Sequence, residues 1–269
     1  ALGLISFAFA IGIWQPARAS RALVRSASYL GDFGDPQGRW LSDGFNAYQR
    51  ARESSTFLDR EVDMALGRRL REVHSVNQRL VTDPTFQNFA ERLITSLEED
   101  AKRHPLDYDI LMEAGNLSFV MEQVKPDSAS RTEAFWLKAM KLAPKREDAY
   151  LQFSLWYQAK GDFVRGSEML DRIFKLNDKI GIFWWYKAVL EARRGDEVAM
   201  RAALDRARAV GYPWDTLPYN LEFLGATFAR QNKPLLAIPF YENLLSATSE
   251  SELPWPVLFR SHAALGSLY

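Results

Sequence analysis

Cysteine is absent from the 269 residues. That excludes disulfides, thiolate metal sites and a cysteine nucleophile, while leaving the redox compartment open. Histidine is scarce: His74, His104 and His262 are far apart and form no His-x-x-x-His pair, so no zinc site is expected. A surplus of either charge is missing too. Lys and Arg number 34, as do Asp and Glu, so nothing in the balance favours phosphates and no nucleic-acid partner is expected. Gly31, Gly34 and Gly38 are followed by no Gly-Lys-Ser/Thr, so no phosphate loop is read. No nucleophile is matched by a base, no motif implies a cofactor, and no catalytic residue is assigned. The acidic runs Glu98–Asp100 and Asp59–Asp63 read as solvated helix faces, and the basic run Arg68–Arg71 as a salt-bridged one. What the chain has in quantity is apolar: hydrophobic residues make up 47%, the composition of a globular protein with a substantial core.

Long hydrophobic runs are also lacking, with one partial exception. Residues 1–14, ending at Trp14, carry no charge and are followed by Gln15-Pro16 and then Arg18, Arg21 and Arg25. A membrane span needs about 20 apolar residues, so this stretch reads as the end of a truncated transmembrane helix, with Trp14 at the interface. A signal peptide and a buried core helix are the rival readings. The three arginines beside the apolar run favour a cytoplasmic side for the remainder of the chain.

The middle of the chain repeats every 34 residues: Tyr150 precedes Trp184 by that interval, and Gly161-Asp162 precedes Gly195-Asp196 by the same. Thirty-four is the tetratricopeptide period, with the pattern Trp-x2-Leu-Gly-x2-Tyr, Ala-x3-Phe and Pro. Leu221, Leu224, Gly225 and Phe228 follow it and continue to Ala237 and Tyr241, while His262, Leu265, Gly266 and Tyr269 repeat the first half. Tyr150, Phe153, Ser154 and Tyr157 fit with serine in the glycine position; Leu111, Ala114 and Gly115 lead to Trp136, Ala139 and Pro144. In the most degenerate unit Lys187-Ala188 replaces Leu-Gly and Glu191 replaces the aromatic residue. Longer intervals fall where loops absorb them, around 124–128, 211–218 and 248–256.

The expected fold is therefore all-α, a right-handed α-solenoid of antiparallel helix pairs. A small residue at 115, 154, 188, 225 or 266 lets helix A approach helix B, and Gly-Asp turns end one helix and cap the next. Upstream, helices are expected near Pro16–Leu30, Pro36–Arg52, Phe57–Val76 and Pro84–Arg103, the last started by the cap Asp83 and by Pro84. This places the end of a membrane helix at 1–14, divergent helical pairs at 15–106, and repeats at 107–144, 145–178, 179–213, 214–249 and, as a half unit, 250–269.

Inward-facing offsets of helix A nominate a partner-binding groove: Met112, Asn116, Phe119, Asp148, Leu151, Leu155, Gln158, Ile182, Trp185, Val189, Tyr219 and Glu222. Such a wall is mostly apolar, and suits a protein or peptide with an apolar or amphipathic segment.

Three segments carry a more specific likeness: the span running into Trp14–Leu23, the stretch Phe45–Glu53 leading to Ser54–Phe57 with Arg60-Glu61, and His104–Tyr108. With the repeats, they resemble the C-terminal tetratricopeptide region of bacterial O-antigen ligase or polymerase-like membrane proteins. The resemblance implies a non-catalytic extension of a membrane protein that transfers lipid-linked glycans in cell-surface polysaccharide biosynthesis, with the catalytic part elsewhere. A free-standing exported or membrane-anchored repeat adaptor is the alternative, and an RNA-reading helical repeat is disfavoured by the zero net charge.

Overall fold

A computed structural model describes residues 21, 25–26, 39–52, 59–247 and 255–268. Every element among them is helical. Twelve α-helices occur in order: α1 (Trp40–Arg52), α2 (Asp59–Val76), α3 (Pro84–Arg103), α4 (Tyr108–Met121), α5 (Ser128–Leu142), α6 (Glu147–Ala159), α7 (Phe163–Leu176), α8 (Gly181–Arg194), α9 (Glu197–Ala209), α10 (Pro218–Arg230), α11 (Pro234–Ala247) and α12 (Trp255–Leu268). The fold is the all-α class of paired helices that the period implies. Two compact units are present, residues 1–144 and 145–269. The repeat at 107–144 belongs to the first, and the later repeats make up the second. No described helix is long and apolar enough to cross a membrane. Residues 1–14 lie outside the described residues, as does most of the helix expected near Pro16–Leu30.

In the first unit, α3 packs against α1, α2 and α4. Its start is chemical: the Asp83 carboxylate accepts from the Thr85 and Phe86 amides at 2.6 and 3.2 Å, and Pro84 supplies a residue that needs no donor there. Phe86, Phe89, Leu93, Ile94 and Leu97 then recur at helical spacing and are fully buried. Helices α4 and α5 form a hairpin in which Trp136, itself fully buried, lies against Gly115 so closely that no side chain fits between them.

The second unit stacks the hairpins α6/α7, α8/α9 and α10/α11 and adds α12 against α10 and α11. At two A–B turns Gly161 and Gly195 adopt φ of 76° and 85°, where a side chain would be strained. Asp162 and Asp196 come next and cap α7 and α9 through the amides of Arg165 and Ala199. In the third turn Asn232 stands in the glycine position, at φ 56°, a conformation asparagine tolerates best among side-chain-bearing residues. Small residues meet across two pairs: the Ser154 hydroxyl donates to the Gly166 carbonyl at 2.8 Å, and Gly225 faces the Tyr241 ring. Gly266 departs from the expectation of a close helix contact. Open space surrounds the position of its missing Cβ, because no helix B of its own hairpin lies among the described residues.

The insertion at 211–218 does more than absorb three residues. It forms a 3₁₀ turn, Trp214–Thr216, that touches both α9 and α10. Trp214 is buried there, its indole N–H donating to the Leu204 carbonyl at 3.1 Å.

Candidate functional site

The A helices α6, α8 and α10 present the same repeat positions in succession. Asp148, Ile182 and Tyr219 share one position, Leu151, Trp185 and Glu222 a second, and Leu155 and Val189 a third. Depth varies along each row. Tyr219 is 61% exposed. Leu151, Leu155 and Ile182 are half-buried, whereas Trp185 and Val189 belong to the core cluster formed with Met200, Leu204, Leu221 and Leu224. Gln158 is buried as well, donating to the Ser154 hydroxyl at 3.2 Å.

Charge on this surface is largely self-neutralised. Asp148 pairs with Arg146 at 3.0 Å, and the Glu222 carboxylate receives both Nε and Nη2 of Arg260, at 2.5 and 3.1 Å. Buried Glu191, which takes the aromatic position of the degenerate repeat, is held by Lys187 at 3.3 Å and Arg194 at 3.6 Å. The substitution is therefore compensated by an ion pair on its own helix. Phe174 and Trp184 stack at 4.0 Å and 16°, closing the α7–α8 junction.

The three nominated residues in the first unit sit on α4. Met112 is buried, Asn116 is half-buried with its Oδ1 enclosed and unpartnered, and Phe119 meets Trp136 edge-on at 5.8 Å. Buried Glu113 beside them takes a two-pronged bond from Arg71 of α2, at 2.9 and 2.7 Å.

The first unit also holds a polar cavity of about 1030 Å³ between α1 and α3, lined by Arg52, Asn88, Arg92, Thr95, Ser96 and Glu99 among others. Beneath it lies fully buried Asp63, 3.4 Å from the Arg52 guanidinium. Burial pushes the Asp63 carboxyl up to about 6, opposed by the Ser96 hydroxyl and Arg52 and reinforced by Asp100. The same burial and the Asp63 charge push the Tyr48 phenol up. Burial likewise holds the His74 imidazole below its usual value. Among the described residues no group of His, Asp or Glu is arranged to hold a metal ion, and these titratable groups supply no nucleophile–base pair.

Two residues that the offsets passed over complete the A-helix stripe. Positions 182, 185, 189 and 193 fall on one face of α8, and 219, 222, 226 and 230 on the matching face of α10, so Arg193 and Arg230 extend the same wall by one turn. The signal was available in the register, since 193 and 230 differ by the 37 residues that separate Trp184 from Leu221.

No family and no curated protein matches the chain. Among solved structures, a tetratricopeptide repeat protein from Parabacteroides merdae ATCC 43184 is similar to it, with 14% identity, a TM-score of 0.59, and coverage of 92% of this chain and 86% of that one. The APC/C hetero-tetramer Cut9–Hcn1 aligns at 13% identity and a TM-score of 0.47, over 87% of this chain and 50% of that one. The first likeness shows the fold, an all-α array of tetratricopeptide-like helix pairs.

Proposed function

We propose that this chain is a non-catalytic repeat scaffold that docks protein partners on the A-helix surface of its second unit. We further propose that it is the C-terminal extension of an O-antigen ligase or polymerase-like membrane protein, anchored through residues 1–14. The observation that carries the docking reading is the row of repeat-equivalent A-helix residues left accessible while the helix pairs bury their other faces: Asp148, Ile182 and Tyr219, with Leu151 and Leu155 beside them. Helical repeats use such rows as extended binding surfaces. An apolar or amphipathic helix is the partner chemistry this surface suits, since Leu151, Leu155, Ile182 and Tyr219 offer apolar area and the Asp148 and Glu222 charges beside them are already paired. The membrane reading is supported by the uncharged run at the start of the chain and by the resemblance of the segments around Trp14, Phe45 and His104.

The test is capture. Immobilised wild-type chain is expected to retain a partner from a membrane extract, and Leu155→Asp with Tyr219→Asp is expected to lose it while circular dichroism stays helical. Equal capture by wild type and the double variant removes this surface from consideration.

A further inference from the structure

Arg193 and Arg230 close the last turns of α8 and α10, and the two helix ends are stitched together. The Gln231 amide donates to the carbonyls of Ala192 at 2.7 Å and Arg193 at 3.1 Å, and the Lys233 ammonium to that of Gly195 at 3.5 Å. The Arg193 guanidinium lies over the Phe223 ring, 5.5 Å from its centroid, which limits the directions it can take.

Neither arginine forms an ion pair among the described residues. Their neighbours do: Arg194 meets Glu191, and Arg260 meets Glu222. Partial burial, and then the charge of Arg230, holds the Arg193 guanidinium below its ordinary value, with no acid opposing them. Two cations are thus set side by side at the end of an otherwise charge-balanced surface. The dipole at each helix C-terminus accounts for one cation at each end. It does not account for directing both onto the same face, where each raises the energy of the other.

We propose that Arg193 and Arg230 form a seat for an oxyanion, a carboxylate or a phosphate group. Guanidinium groups suit this chemistry because their forked donors match two oxygens of one anion. The seat deepens the docking proposal, on which it rests for its surface: a partner docked on the accessible row at Ile182 and Tyr219 would reach it with an acidic group further along the same face.

Small probes test the seat without any partner. Inorganic phosphate and succinate are titrated separately into the purified chain by calorimetry, at ionic strength held constant with chloride. Saturable binding of one or both is expected. Arg193→Gln or Arg230→Gln should weaken it about tenfold, as expected for loss of charged hydrogen bonds, while Arg194→Gln should not. Binding of phosphate alone, succinate alone or both identifies the source of the group. No saturable binding to wild type, or equal weakening by Arg194→Gln, overturns the seat. Should Arg193→Gln lose its helical signal, Arg230→Gln and Arg193→Lys decide, with tight binding by both overturning it. The Leu155→Asp/Tyr219→Asp variant is titrated in parallel: anion binding without partner capture in wild type would sink the docking surface alone, and capture without anion binding would sink the seat alone.

Discussion

The Tyr241 ring lies across the bare face of Gly225, so that a Cβ on this glycine would stand 2.9 Å from ring atoms Cε2 and Cζ. Tyr241 is 4% exposed and has little room to retreat. Gly225→Leu should therefore cost about 1–3 kcal/mol by overpacking and lower the melting temperature by several degrees. Gly266 provides the opposite sign. Its missing Cβ faces open space, so Gly266→Ala should gain up to about 1 kcal/mol from helix propensity. Thermal melts of the two variants against wild type check both, and equal shifts would mean that Gly225 does not serve the contact between α10 and α11.

Asp63 makes the first unit respond to acid with an unusual sign. Its folded value of about 6 lies above the ordinary carboxylate value, so the folded state holds this proton more tightly than the unfolded chain. The contribution is most favourable below about pH 4 and is lost as pH rises through about 6. Ionised Asp63 is left with Arg52, at 3.4 Å, as its charged partner in a fully buried site. Urea titrations at pH 4.5 and 7.5 should show Asp63→Asn gaining on wild type by about 2 kcal/mol between the two, most of what a shift of about two units supplies. A difference that stays constant with pH would show that Asp63 keeps an ordinary value.

Much of the helical order was legible because it rests on local chemistry. Asp83-Pro84 starts α3 where the cap places it, and the Gly-Asp turns fall at the repeat interval. Depth was not legible. Periodicity tells which face of α8 holds Ile182, Trp185 and Val189, but neighbouring hairpins decide that Trp185 and Val189 sink into the core while Tyr219 of α10 stays out. Trp214 shows the same limit: it falls in a segment read only as a loop that absorbs extra residues, and the turn of 211–218 is what brings its N–H to the Leu204 carbonyl. Asp63 looked like one charge in a solvated run, because the helices that bury it are remote in sequence.

Arg71 and Glu113 join α2 to α4, and the two partners are unequal. The Glu113 side chain is 3% exposed and that of Arg71 32%. Arg71→Ala should then cost about 3–5 kcal/mol, since it leaves a buried carboxylate uncompensated. Arg71→Met with Glu113→Leu removes both charges and keeps the volume, and should cost much less. Chemical denaturation of the single and double variants checks this. A double variant as unstable as Arg71→Ala would mean that packing, and not the orphaned charge, sets the cost.

Trp185 and Leu155 separate stability from binding on the A-helix surface. Trp185 is 7% exposed within the core of the second unit, so Trp185→Asp would place a charge among apolar side chains and unfold that unit. Its failure to capture a partner would say nothing about a docking surface. Leu155 is half-buried, and Leu155→Asp should keep the helical signal while losing capture. Trp185→Phe should lower the melting temperature yet capture as wild type does, because the change is confined to the core. If Trp185→Phe loses capture while still folded and Leu155→Asp keeps it, the partner contacts the chain through a rearranged α8, and the half-exposed row is not where it docks.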